Sequence, residues 1–114
     1  MEREFIQTNV FLKRWEEIGL TEDDLQELEI HLCENPLSGD LIAGTGGVRK
    51  LRWQIIERGK RSGARVIYVD FTADEILFLL TAYDKKEQED LSMEQRKMLY
   101  SLVKQLEEER KPKL

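Results

Sequence analysis

The order of residues predicts an α+β fold, with helices packed on one face of an antiparallel sheet. Three observations predict it. Runs rich in Val, Ile, Leu and aromatic residues, the composition of strands, crowd the middle of the chain at Val48–Ile56, Arg65–Phe71 and Ile76–Thr81. The connections between these runs are too short for crossover helices, so neighbouring strands pair as hairpins. Segments with helical apolar spacing and clear end signals stand before and after this block. With 114 residues, the chain can bury one core but not two, so positions 1–114 form a single domain.

Taken in order, Glu4 to Gln7 alternates as a first strand, with Phe5 and Gln7 on one face and Ile6 on the other. Thr8 or Asn9 caps a helix whose apolar residues Phe11, Leu12, Trp15 and Ile18 recur at helical spacing; Gly19 closes it. Thr21 starts a second helix with acids in its first turn, where the helix dipole favours them, and Leu25, Leu28 and Leu32 form its inward stripe. Asn35-Pro36 ends it. A short strand Leu41-Ile42-Ala43 follows, then the glycine-rich turn Gly44-Thr45-Gly46-Gly47 and the strand Val48 to Ile56. Gly59 to Gly63 reads as a basic connecting loop, Thr72-Ala73-Asp74 joins the next two strands, and Asp84 to Asp90 is a charged loop. Ser92 with Gln95 makes a capping box for a last helix to about Arg110, with Leu99, Leu102, Val103 and Leu106 as its stripe.

Composition sets the function class. Hydrophobic residues make up 40% and charged residues 36%, which fits a compact domain with a polar surface. No apolar run nears the roughly 20 residues of a membrane span, and Met1-Glu2-Arg3-Glu4 lacks the layout of a secretory signal. The expected location is the cytoplasm, with no membrane partner. Cys33 is the single cysteine and His31 the single histidine. Their spacing points them to different helix faces, so no metal site is expected, nor any cofactor. Cys33 reads as a small buried side chain.

The charge distribution is uneven. The chain carries 18 Lys+Arg and 23 Asp+Glu, yet from Arg49 to Arg65 seven basic residues face one acid, Glu57. Such a local excess in an acidic chain marks an anion-binding surface. Strand alternation puts Lys50, Arg52 and Gln54 on one face and Leu51, Trp53 and Ile55 on the other, core-side face. Cations two residues apart on a strand lie about 7 Å apart, close to the spacing of successive phosphates. Arg65 opens the neighbouring strand, and Tyr83, Lys85 and Lys86 leave the end of the last, so these groups can converge on one edge. The Gly44–Gly47 turn lacks a following Lys-Ser pair and helix, and reads as a hairpin turn needing positive φ rather than a nucleotide loop.

Three separated motifs then carry a resemblance: Gly44-Thr45-Gly46-Gly47-x-Arg49-Lys50-x-Arg52; Gly59-Lys60-Arg61-x-Gly63-x-Arg65-x-Ile67-Tyr68; and Leu79-Leu80-Thr81-x-Tyr83-x-Lys85-x-Glu87-x-x-Asp90-Leu91-Ser92. In this order they resemble the HigB branch of the RelE/ParE superfamily of bacterial type II toxins. The resemblance implies a RelE-like fold and a ribosome-dependent endoribonuclease, an mRNA interferase that cleaves translated messenger RNA without a metal. It implies as partners the ribosome, mRNA and a HigA-type helix-turn-helix antitoxin, with operator DNA reached only through the antitoxin complex. The implied catalytic residues are Lys50, Arg52, Arg65 and Lys85. Lys50 and Arg52 are the basic pair on the central strand, where a lysine is a candidate base if the neighbouring cations Arg49, Arg52 and Arg65 lower its pKa. Arg65 clamps the scissile phosphate, and Lys85 stabilises charge or protonates the leaving group. Arg49, Lys60, Arg61, Tyr83 and Lys86 are the implied RNA contacts. Where RelE carries a tyrosine before its last helix this chain has Leu91, so acid and base roles do not transfer wholesale. Two other readings stay open: a ParE-like inhibitor of DNA gyrase, and a degenerate toxin acting only with its antitoxin in operator repression.

Overall fold

The computed structural model describes residues 2–57 and 60–111. Its elements are β1 (Glu4–Gln7), α1 (Asn9–Ile18), α2 (Glu22–Glu34), β2 (Asp40–Leu41), β3 (Arg49–Glu57), β4 (Lys60–Phe71), a turn of 3-10 helix (Thr72–Asp74), β5 (Ile76–Asp84) and α3 (Met93–Arg110). The strands form one sheet in the order β1-β5-β4-β3-β2. The helix ends follow the expected signals. The Thr8 hydroxyl accepts the Phe11 N–H at 3.0 Å, Gly19 closes α1 at φ 94°, and both α2 and α3 open with reciprocal capping boxes, Thr21–Asp24 and Ser92–Gln95.

The expected α+β class holds, with three α-helices on one five-stranded sheet among the described residues, and two details of it are corrected. The sheet is mixed, because β1 pairs parallel with β5 while the other pairs are antiparallel. The helices also lie on both faces. Phe11, Trp15, Leu28 and Leu32 of α1 and α2 pack with Val66 and Tyr68, whereas Leu99 and Val103 of α3 pack with Ile67 and Val69. The reason is in β4 and β5 themselves. Val66-Ile67-Tyr68-Val69 is apolar at consecutive positions, and a strand with no polar face must be covered on both sides.

Three element boundaries also move. The strand expected at Leu41-Ile42-Ala43 is the two-residue β2 at Asp40–Leu41. The expected loop Gly59–Gly63 gives way to strand from Lys60 on, since Ile55 pairs Ser62, Ile56 pairs Arg61 and Glu57 pairs Lys60. Polar residues there disguise a long hairpin arm. β5 runs on to Asp84 through a bulge: Ile67 opposes Thr81 but Tyr68 opposes Leu79, leaving Leu80 as the extra residue. Its effect is to change the phase of the strand. Leu79 and Ala82 face the α1/α2 layer, and Leu80 and Tyr83 face the α3 layer. Without the bulge, Tyr83 would share the face of Leu77 and Leu79.

The glycine turn is a connection between β2 and β3, as expected. Gly44 and Gly46 sit at φ 78° and 77°, the left-handed region open to glycine. Between them Thr45 is fully buried, its hydroxyl donating to Ile42 O at 2.7 Å and accepting from the Val48 N–H at 3.1 Å. The turn thereby fixes where β3 begins and sets the register of its basic residues.

Candidate active site

Strand pairing builds the site as a row. Arg52 of β3 lies directly opposite Arg65 of β4, and Arg65 lies opposite Tyr83 of β5. Directly paired residues point to one face, with side chains roughly 5 Å apart at their bases. The bulge is what brings Tyr83 into this row. Arg52 is exposed and Arg65 half-buried, and among the described residues neither arginine has a hydrogen-bond or ion-pair partner. Two like charges placed directly opposite cost stability, so the arrangement calls for an anion between them.

Lys85 joins the row from the strand end. Its backbone N–H donates to Gly63 O at 3.1 Å. A Cβ built on Gly63 would stand 3.3 Å from Lys85 Cδ and 3.7 Å from Arg65 Nη1. The bare glycine therefore leaves the space in which the Lys85 and Arg65 side chains lie side by side. Lys50 lies two residues before Arg52 on the same face of β3, but it is engaged: Nζ donates to Asp90 Oδ1 at 2.6 Å. Held so in the free protein, Lys50 is a donor on a carboxylate. The Asp90 carboxyl is held below its ordinary range, first by the Lys50 hydrogen bond and charge, with Arg96 and Arg65 adding to it.

Other expected contacts lie elsewhere. Arg49 points to the opposite face, where Nη1 donates to Gly39 O at 2.8 Å and Leu37 O at 3.2 Å. It fastens the loop before β2, and is not part of the row. Lys86 is exposed, with its backbone N–H on Asp84 Oδ1 at 2.9 Å. The side chains of Lys60 and Arg61, expected as RNA contacts, lie outside the described residues.

Arg96 is a site residue that the motifs do not include. It lines one cleft with Lys50, Asp90 and Leu91, and its Nε is buried without a hydrogen-bond partner among the described residues. A signal for it exists in the sequence: Arg96 stands three residues before Leu99 on the α3 stripe, a charge on an apolar stripe.

Tyr83 is 4% exposed, and its hydroxyl donates to Glu89 O at 3.4 Å. Burial pushes its phenol above the ordinary tyrosine value, the Asp90 charge adds to this, and Arg65 opposes it. Tyr68 is raised likewise, chiefly by burial. A raised folded value means that each phenol's contribution to stability is intact below about pH 10 and is lost as pH rises through the folded value. Ultraviolet titration is expected to show tyrosine ionisation delayed beyond about pH 10, with one delayed step missing in Tyr83→Phe. Ionisation of all the tyrosines in a single step at the ordinary value would contradict the burial of Tyr68 and Tyr83.

Residues 5–114 match the family model described as the RelE toxin of the RelE/RelB toxin-antitoxin system. Among solved structures, the chain is similar to a double arginine-to-alanine mutant of the E. coli toxin RelE in the free state, with a TM-score of 0.57 and 19% identity over 78% of this chain and 90% of that one. At that identity the likeness speaks for the fold. The E. coli DinJ-YafQ toxin-antitoxin complex also matches, with a TM-score of 0.41 and 16% identity over 76% of this chain and 97% of that one, a likeness too loose to carry an argument. Among the described residues, no helix is long and apolar enough to cross a membrane.

Proposed function

We propose that this chain, which belongs to the RelE toxin family, is a cytoplasmic HigB-type toxin that cuts translated messenger RNA in the aminoacyl site of the ribosome. The observation that carries the reading is the facing pair Arg52 and Arg65, without a counter-ion among the described residues. A scissile phosphate supplies the missing anion. In the reaction, the ribose 2′-hydroxyl gives its proton to a base while its oxygen attacks the adjacent phosphorus and the 5′-oxygen leaves, so negative charge peaks on the non-bridging oxygens of the phosphorane. Arg65 presents a planar fork suited to two of those oxygens, and Arg52 neutralises them from the next strand. Lys85, beside Arg65 over Gly63, is placed to protonate the departing oxygen or to hold its charge. No step in this scheme calls for a metal.

The partner in this reading is a HigA-type helix-turn-helix antitoxin, through which alone the toxin reaches operator DNA. Induced expression of the chain without an antitoxin tests the proposal. Growth arrest is expected, with mapped 5′ ends falling inside codons of translated messages and absent from the same message lacking a start codon. Accumulated cleaved DNA with translation intact would instead identify a gyrase inhibitor. Undisturbed growth would leave only the role in operator repression.

A further inference from the structure

Beside the arginine row lies a cleft. The cleft between β2, the start of β3 and the first turns of α3 has a volume of about 270 Å³, smaller than the usual pocket for a drug-sized ligand. Its charged walls are two cations, Lys50 and Arg96, and two acids, Asp90 and Asp40, the latter directly opposite Lys50 on β2. Lys50 and Asp90 satisfy each other at 2.6 Å. Arg96 does not share in this: its Nε is buried and has no hydrogen-bond partner among the described residues. A buried guanidinium N–H left unpaired costs free energy, and on an otherwise apolar helix stripe it has no packing role that a leucine would not fill better.

We propose that Arg96 and Lys50 form a pocket for a second RNA phosphate, next to the scissile one, and that the Asp90 carboxylate occupies this pocket as an internal substitute in the free protein. Asp90 feels Lys50, Arg96 and Arg65 together, as a bound phosphate would. The spacing fits, since Lys50 and Arg52 are two residues apart on β3 and so about 7 Å apart. A phosphodiester chain with one phosphate between Arg52 and Arg65 therefore brings the next toward Lys50. Asp90 is 65% exposed in its side chain and belongs to the segment between β5 and α3, so an incoming phosphate can displace it without opening the core. Arg96 is then a positioning residue: it holds the strand in register, and takes no part in bond making.

The proposal rests on the RNA-cutting reading for the identity of the anion, yet its test needs no ribosome. Inorganic phosphate is titrated into the purified chain while the arginine Nε–H resonances are followed by NMR, with Arg96 assigned by its loss in Arg96→Gln. The Arg96 signal is expected to move to saturation. Asp90→Asn should tighten that binding about fivefold, the modest gain from removing a largely exposed competing charge. Arg96→Gln in the Asp90→Asn background should weaken phosphate binding about tenfold, read at the Lys50 ammonium. An Arg96 signal that ignores phosphate, or that follows it identically with and without Asp90, would overturn the pocket. Should Arg96→Gln fail to fold, Arg96→Lys supplies the assignment, and the comparison of wild type with Asp90→Asn still decides. Absence of mRNA cutting with these shifts intact would instead point to failure of the RNA reading alone.

Discussion

Replacing Arg65 by alanine is expected to lower single-turnover cleavage of ribosome-bound message by about a hundredfold to a thousandfold, the usual loss when one pre-aimed donor to developing oxyanion charge is removed. Arg65 is the middle of the row, flanked by Arg52 on one strand and Tyr83 on the other, so its loss leaves no fork at the centre. The fold should be untouched. Arg65 has no hydrogen-bond partner among the described residues to leave stranded, and its removal relieves a like-charge contact with Arg52. A melting temperature equal to or slightly above wild type is the expected companion result. Arg65→Lys keeps the charge but not the bidentate geometry, and should fall between the two. Unchanged toxicity and cutting in Arg65→Ala would remove the row from the mechanism.

How far the site is legible in the sequence follows from what kind of information each part needs. Alternation on β3 is local, so the sharing of a face by Lys50 and Arg52 can be read from the chain, as can the helix caps at Thr8, Thr21 and Ser92. The pairing of Arg52 with Arg65 needs register, which the sequence leaves open. Tyr83 joins the row only through a bulge at Leu80, and nothing in Leu79-Leu80-Thr81 announces one. Arg49 sits beside Lys50 in the chain and groups with it on charge; alternation alone sends it to the other face, where Leu37 and Gly39 carbonyls take it up. Asp90 reads as one acid in a charged loop, because its partner is 40 residues away. The placing of all helices on one face fails for a different reason. The uninterrupted apolar run Val66 to Val69 demands two covers, and a one-sided layering supplies only one.

Tyr68→Ala is expected to destabilise the domain by about 3–5 kcal/mol, the cost typical of deleting a large buried aromatic. Tyr68 is fully buried in the α1/α2 layer, and its hydroxyl accepts the Gly39 N–H at 2.9 Å. The fit leaves no slack, since a Cβ on Gly39 would stand 2.9 Å from the same hydroxyl and 3.1 Å from the Lys50 carbonyl carbon. Tyr68 thus locks the loop before β2 onto β3 from behind, while Lys50 and Arg52 work on the other side. For a domain of this size, each kcal/mol shifts melting by about 4 °C or more, so Tyr68→Ala should melt at least about 12 °C lower. Tyr68→Phe keeps the ring but leaves the Gly39 N–H unmet, at about 1–2 kcal/mol. Growth assays on the three variants then separate stability from chemistry within one strand. Arg65→Ala should lose toxicity while melting normally, Tyr68→Phe should keep it, and Tyr68→Ala should lose it only at temperatures where the melt has begun. Tyr68→Ala that melts like wild type would show that β4 does not anchor this layer, and would undo the account of how the basic row is held in place.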